Sequence, residues 1–183
     1  SERSIAPSVT RGTPVVASPT PQPIDNLAYQ STESEMRFAA LLRDQHLWLN
    51  TVRTLSRPDG TTEALTTQVD LTAQILGRVT ALTFTSRTDV LVVGTEDGKV
   101  YHFALRDTAK PVLVETTQAS EQSKAVTALA YLMGDRSLVV GDAAGQVAVW
   151  MPVREHPTTN QTKMTAIHRF APHQSAVSDI TIS

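Results

Sequence analysis

Between residues 79 and 151 the apolar positions fall into six short runs, and the last three repeat the first three. The first set is Val79–Phe84, Val90–Gly94 and Lys99–Leu105; the second is Val126–Leu132, Ser137–Gly141 and Gln146–Met151. Each run is short, rich in β-branched or aromatic residues and bounded by turn residues, which predicts strands and is too brief for ordinary helices. A shift of 47 positions lays Val79 on Val126, Gly94 on Gly141, Gly98 on Gly145 and Val100 on Val147 without a gap. Between the second and third runs stand Asp97-Gly98 and Ala144-Gly145, where glycine supplies the positive φ of a tight hairpin turn. A fourth run follows each set, Pro111–Glu115 and Lys163–Phe170.

Four antiparallel strands per unit of about 40–50 residues describe the blade of a β-propeller. The residues then resemble a known family. Val-Thr-x-Leu, Leu-Val-Val-Gly, Asp-Gly-x-Val and a closing aromatic look like the WD40 repeat, with Trp150 in the place of its Trp. His173 and Val177 resemble the opening of a further repeat. Three departures stand out: Met151 replaces the Asp of Trp-Asp, Pro172 replaces the Gly before His173, and Ala144 replaces the hairpin acid that Asp97 retains. The resemblance covers residues 36–183 and implies an all-β fold, a partial WD40-like propeller of antiparallel four-stranded blades, with an incomplete His–Asp network.

The same pattern organises the rest of the chain. Residues 1–27 hold Pro7, Pro14, Pro19, Pro21 and Pro23 and read as a Pro/Ser/Thr-rich linker or extended arm, in which Val15-Val16-Ala17 could add one edge strand. Residues 28–183 form the expected array, with blades at about 36–75, 78–116 and 125–170 and the first strand of another at 176–183. Two readings compete over residues 27–56. One is a helix opened by a Thr32/Glu35 capping box; the favoured one is a hairpin, Met36–Leu42 and His46–Arg53 about Asp44-Gln45, which makes a third copy of the repeat. Asp59-Gly60 gives the next turn and Thr62–Ile75 a long strand. The chain stops in mid-repeat, so the expectation is a piece of a longer protein, or a last strand that completes a neighbouring sheet. Exposed sheet edges also predict self-association.

Composition removes several classes of function. The 183 residues carry a formal charge of −2, no cysteine and 5% aromatics. Disulfides, zinc–thiolate sites and thiol catalysis are excluded. A basic stripe for nucleic acid is missing, and stacking platforms are few. No apolar run reaches the ~18 residues of a membrane helix. The histidines His46, His102, His156, His168 and His173 show no metal-ligand spacing, and His102 is expected to be a hydrogen-bonded, partly buried residue of a strand. Glu96-Asp97 could hold a cation but reads as turn chemistry, and Ser137 and Ser178 lack a nucleophile elbow. Trp48 is expected in a blade core. No catalytic, cofactor-binding or metal residue is therefore assigned, and the chain is expected not to be an enzyme.

A narrower resemblance lies in VAVWMPVR (147–154) and IHRFAPH (167–173). These look like the extramembrane, periplasmic propeller-like domain of bacterial phosphate ABC transporter permeases. That resemblance implies a non-catalytic soluble domain of an importer at the periplasmic face of the inner membrane. Its partners would be a periplasmic substrate-binding protein and the other permease subunits. The alternative is part of a general WD40-like interaction scaffold, cytoplasmic, with protein partners. Apolar segments of about 20 residues flanking this piece would favour the first.

Overall fold

A computed structural model of the chain describes residues 18–107, 109–132, 134–158 and 160–181. Among these residues the secondary structure is all strand apart from one 3-10 turn, Thr72–Gln74. Blade 1 holds β1 (Ile24–Ser31), β2 (Glu35–Leu42), β3 (Leu47–Ser56) and β4 (Thr62–Asp70). Blade 2 holds β5 (Val79–Phe84), β6 (Val90–Thr95), β7 (Lys99–Ala104) and β8 (Val112–Gln118). Blade 3 holds β9 (Val126–Tyr131), β10 (Leu138–Asp142), β11 (Val147–Arg154) and β12 (Thr162–Arg169). Each blade is an antiparallel meander in sequence order.

Residues 27–56 form the hairpin and not the helix, with Ala39 opposite Leu49 and Leu41 opposite Leu47. Gln45 takes the position of Gly98 with φ 70, so the turn is built without glycine. Three expectations need correction. The first blade begins at Ile24, inside the segment expected to be linker, because β1 pairs with β2 along its length. Thr62–Ile75 is not one strand: β4 ends at Asp70, where the Asp70 carboxylate accepts from the Thr72 amide at 2.9 Å and turns the chain. Residues 176–181 form no strand. The suggested strand at residues 15–17 lies outside the described residues.

The blades stack face to face. The first strand of each lies beside the first strand of the next, β1 by β5 and β5 by β9. Alternation along a strand then sends neighbouring side chains to different interfaces. Leu91, Val93, Tyr101 and Phe103 of blade 2 meet Ala39, Leu41, Leu47 and Leu49 of blade 1. Val92 and Val100 meet Val126, Leu138, Val140 and Trp150 of blade 3. Blade 2 is thus covered on both faces, and β6 is buried from Leu91 to Thr95. Blades associate through the side chains of their faces and not through backbone ladders.

The repeated glycines make the stacking close. A Cβ on Gly94 would lie 2.6 Å from Val126 Cγ1, and one on Gly141 would lie 2.6 Å from Val177 Cγ1. Val177 therefore occupies on blade 3 the seat that Val126 occupies on blade 2, although the segment that carries it is not a strand. The Val177 amide donates to the Asp142 carbonyl at 3.1 Å, and the His173 amide to the Gly145 carbonyl at 2.9 Å.

Candidate functional site

Antiparallel order places the β1–β2, β5–β6 and β9–β10 turns at one end of the array, together with the β3–β4 and β7–β8 connections. Several clefts open there: one, of about 340 Å³, lies between blades 1 and 2, a second, of about 660 Å³, lies between blades 2 and 3, and another, of about 500 Å³, is bordered by Gln30, Ser86, Asp135 and Ile180. Arg87 and Asp89, on the β5–β6 turn, line the first two.

The first cleft gathers four guanidinium groups that are far apart in sequence. Arg37 is buried and its Nε lies 2.6 Å from Glu35 Oε1, while Arg53 Nη2 lies 2.8 Å from Glu35 Oε2. Burial pushes the pKa of Arg37 down, and Glu35 opposes that. Arg37 Nη1 also donates to the carbonyl of Thr88. Arg87 and Arg106 are exposed and have no ion pair among the described residues. Thr88 is held at φ 60, a region that β-branched residues rarely enter, and its amide closes the turn on the Thr85 carbonyl at 3.0 Å. On the other side of Arg87, Ser86 donates to Asp135 of blade 3, from its amide at 2.9 Å and its hydroxyl at 2.5 Å.

The second cleft has His102 at its floor. This histidine is 6% exposed, and neither ring nitrogen has a hydrogen-bond partner, which corrects the expectation of a hydrogen-bonded, partly buried residue. Burial lowers its pKa and the Glu115 carboxylate, opposite it on β8, counters weakly. The indole Nε1 of Trp150 is likewise buried without a partner. The carboxylates around them are committed: Glu115 accepts from the Met164 amide at 2.8 Å and Asp89 from Thr85 Oγ1 at 2.6 Å. Burial raises the pKa of Tyr131, so its hydroxyl keeps its proton.

The opposite end carries turn chemistry. Burial would raise Asp97, but bonds from Lys99 Nζ at 2.5 Å and Thr95 Oγ1 at 2.6 Å outweigh it and hold the carboxylate below its usual range. This engages the acid considered for a cation. No group of three or more His, Cys, Asp and Glu suited to a metal exists among the described residues. Where Ala144 replaces the hairpin acid, Asp142 takes over two residues earlier. It accepts from the Ala144 and Gln146 amides at 2.9 and 3.0 Å and from Ser120 Oγ of blade 2 at 2.7 Å. His46 bonds Asp70 at 2.9 Å, which raises its pKa. His156 contacts Thr158 at 3.0 Å in an exposed turn, and His168 meets Phe170 edge-on at 4.6 Å. The histidines are thus dispersed. Ser137 and Ser178 have no bonded histidine among the described residues. Trp48 is half-buried, on the face of blade 1 turned away from blade 2. The arginines of the rim escaped sequence reasoning because they fall at unrelated points of the repeat: the counterpart of Arg87 is Gly134, and that of Arg106 is Val153.

Known protein families give no match to the chain, and neither do curated relatives. Among solved structures, the chain is similar to the β-propeller domain of Cps50 (Swd1) from Myceliophteria thermophila, with a TM-score of 0.50 and 18% identity. The likeness covers 73% of this chain and 43% of that domain, so the chain spans less than half of the propeller it matches. At this identity the likeness establishes the fold, a set of propeller blades.

Proposed function

We propose that the chain is a non-catalytic interaction module that holds a partner protein at the end of the array where these clefts open. The observation that supports this most is Arg87. Its neighbours on both sides are fixed, Thr88 by Arg37 and Ser86 by Asp135, while its own charged head is left free. A rigid turn that presents an uncommitted guanidinium is suited to a protein contact, since loops on a rigid scaffold carry recognition. Among the described residues, by contrast, no group of His, Cys, Asp and Glu suits a metal, and the bonded serines Ser86 and Ser120 meet carboxylates that tie one blade to the next. Immobilised chain carrying substitutions at this end should lose a partner that substitutions at the Asp97 end do not affect. Equal retention by both sets of variants would refute the assignment of the binding end.

The narrower reading places the module on the periplasmic face of the bacterial inner membrane, in a phosphate-type ABC importer, touching the substrate-binding protein. It rests on the resemblance of residues 147–154 and 167–173. The fold likeness supports the general scaffold reading better, and adds nothing to the transporter part. Cross-linking in cells under phosphate limitation tests it: recovery of a periplasmic binding protein supports the importer, and recovery of cytoplasmic partners alone supports the scaffold.

A further inference from the structure

We infer that the cleft between blades 1 and 2 is a docking site for an acidic segment of a partner protein, with Arg87 and Arg106 as the groups that bind its carboxylates. This rests on the reading of the chain as an interaction module and specifies the chemistry of the partner.

The charge balance of the cleft carries the inference. Within this cleft Arg37, Arg53, Arg87 and Arg106 face Glu35 and Asp89, and on its far side Arg87 borders the cleft of Glu115 and Asp135. Glu35 is consumed by Arg37 and Arg53 together. Asp89 is bonded to Thr85 Oγ1. Two guanidinium groups remain unpaired beside a buried third, at a site whose walls are otherwise Thr32, Ser34, Thr88 and Leu105. Guanidinium presents fixed forked donors that match a carboxylate in a two-point geometry. The surface of the whole chain is mildly acidic, at −2, so this local excess runs against the overall charge. Such a patch steers acidic partners towards one place.

The backbone is arranged to keep the two free groups in position. A Thr at positive φ stores local strain, of the order of 1–3 kcal/mol, that surroundings must hold. Here the holder is Arg37, itself locked by Glu35, so the β5–β6 turn is clamped to blade 1; Asp135 clamps it to blade 3 as well. Arg106 follows the end of β7 directly behind Leu105, whose amide donates to the Asp89 carbonyl at 2.9 Å. That bond ties the stem of Arg106 to the turn of Arg87. A peptide carboxylate suits this site better than a dianionic phosphate, because Glu35 and Asp89 remain close and would repel the second charge.

The experiment is a fluorescence-anisotropy titration of the chain against an eight-residue peptide of alternating Glu and Leu. The same peptide with Gln for Glu, and inorganic phosphate as competitor, are the controls. Saturable binding of the Glu peptide is expected, with at least tenfold weaker binding of the Gln peptide and little competition by phosphate at equal concentration. The exposed double variant R87E/R106E should weaken the Glu peptide at least tenfold with an unchanged thermal transition, whereas R154E, on blade 3, should not. Equal binding of the Glu and Gln peptides, an undiminished R87E/R106E variant, or displacement by phosphate at the peptide's own concentration would overturn the inference. A partner protein still held by R87E/R106E would retire the acidic segment alone; failure of any protein to bind this end would retire the interaction module itself.

Discussion

The two junctions of this array are built by the same repeat yet filled differently. Between blades 1 and 2 the interior is built on large apolar side chains, with Phe103, Leu91, Leu47 and Leu49 fully buried and Arg37 and Thr51 buried beside them. Between blades 2 and 3 the corresponding layer contains His102 and Trp150, whose ring nitrogens have no partners, and the remaining side chains are smaller. The first junction carries the unpartnered Thr51 hydroxyl beside an Arg37 held by Glu35 and the Thr88 carbonyl, while the second carries two rings whose nitrogens lose water and regain nothing, at about 1–3 kcal/mol each. The comparison teaches that the repeat specifies a stacking geometry and leaves the filling free to vary. The first junction is filled by larger apolar side chains, and the second buries the two ring systems among smaller ones.

The largest expected effect breaks the first junction. Phe103→Ala removes a fully buried ring and should cost about 3–5 kcal/mol. Urea denaturation measures it, and a loss under 1 kcal/mol would mean that blades 1 and 2 are not stacked there. Next comes the glycine seat. Gly94→Ala drives a Cβ against Val126, which is anchored in β9, and should cost about 1–3 kcal/mol. Gly141→Ala meets Val177 at the same distance, but that residue lies outside any strand, in a segment held to blade 3 by the amides of His173 and Val177, and has more room to shift. The second substitution should therefore be milder than the first, and the reverse order would show that residues 173–177 are anchored by more than this seat.

The smallest effect sharpens the second junction. His102→Val installs the residue that blade 3 has at the equivalent position, Val149, and should stabilise the fold by about 1 kcal/mol at pH 7. The sign with pH follows from burial, which lowers the pKa of His102 in the folded state. Below the unfolded value of about 6.5 the unfolded chain binds the proton more readily, so stability falls with falling pH. His46 has the opposite sign, because Asp70 raises its folded pKa and its contribution is lost as pH rises. Melting temperatures of the wild type should drop from pH 7 to pH 5 more steeply than those of H102V. Parallel curves would mean that His102 is not the buried neutral base described.

Much of this architecture was legible in the residues, and the reason is physical. Blades 2 and 3 show themselves because buried strands need apolar runs, hairpins need a residue tolerant of positive φ, and both recur 47 positions apart. The hairpin of blade 1 emerged from the alignment of Asp44-Gln45 with Asp97-Gly98, despite helical spacing in its apolar residues. Strand β1 was missed because it lies in the outermost blade, where Leu27 and Tyr29 are exposed, and so its sequence carries little apolar alternation. The break after Asp70 is a side-chain cap that no run of hydrophobic residues announces. The rim was invisible for another reason: Arg37, Arg53, Arg87 and Arg106 are brought together only by stacking, and no single element carries more than one, Arg37 and Arg53 excepted as hairpin neighbours.

The central claim is that blade 2 is the interior layer of a stack, buried by equivalent partners on both faces. Amide hydrogen exchange, resolved by residue, tests it most directly. The account predicts the slowest exchange in β6 and β7, from Leu91 to Gly94 and from Val100 to Phe103, with faster exchange in β1 and β12. Protection that is greatest in β1 or β12, or equal across all three blades, would contradict it.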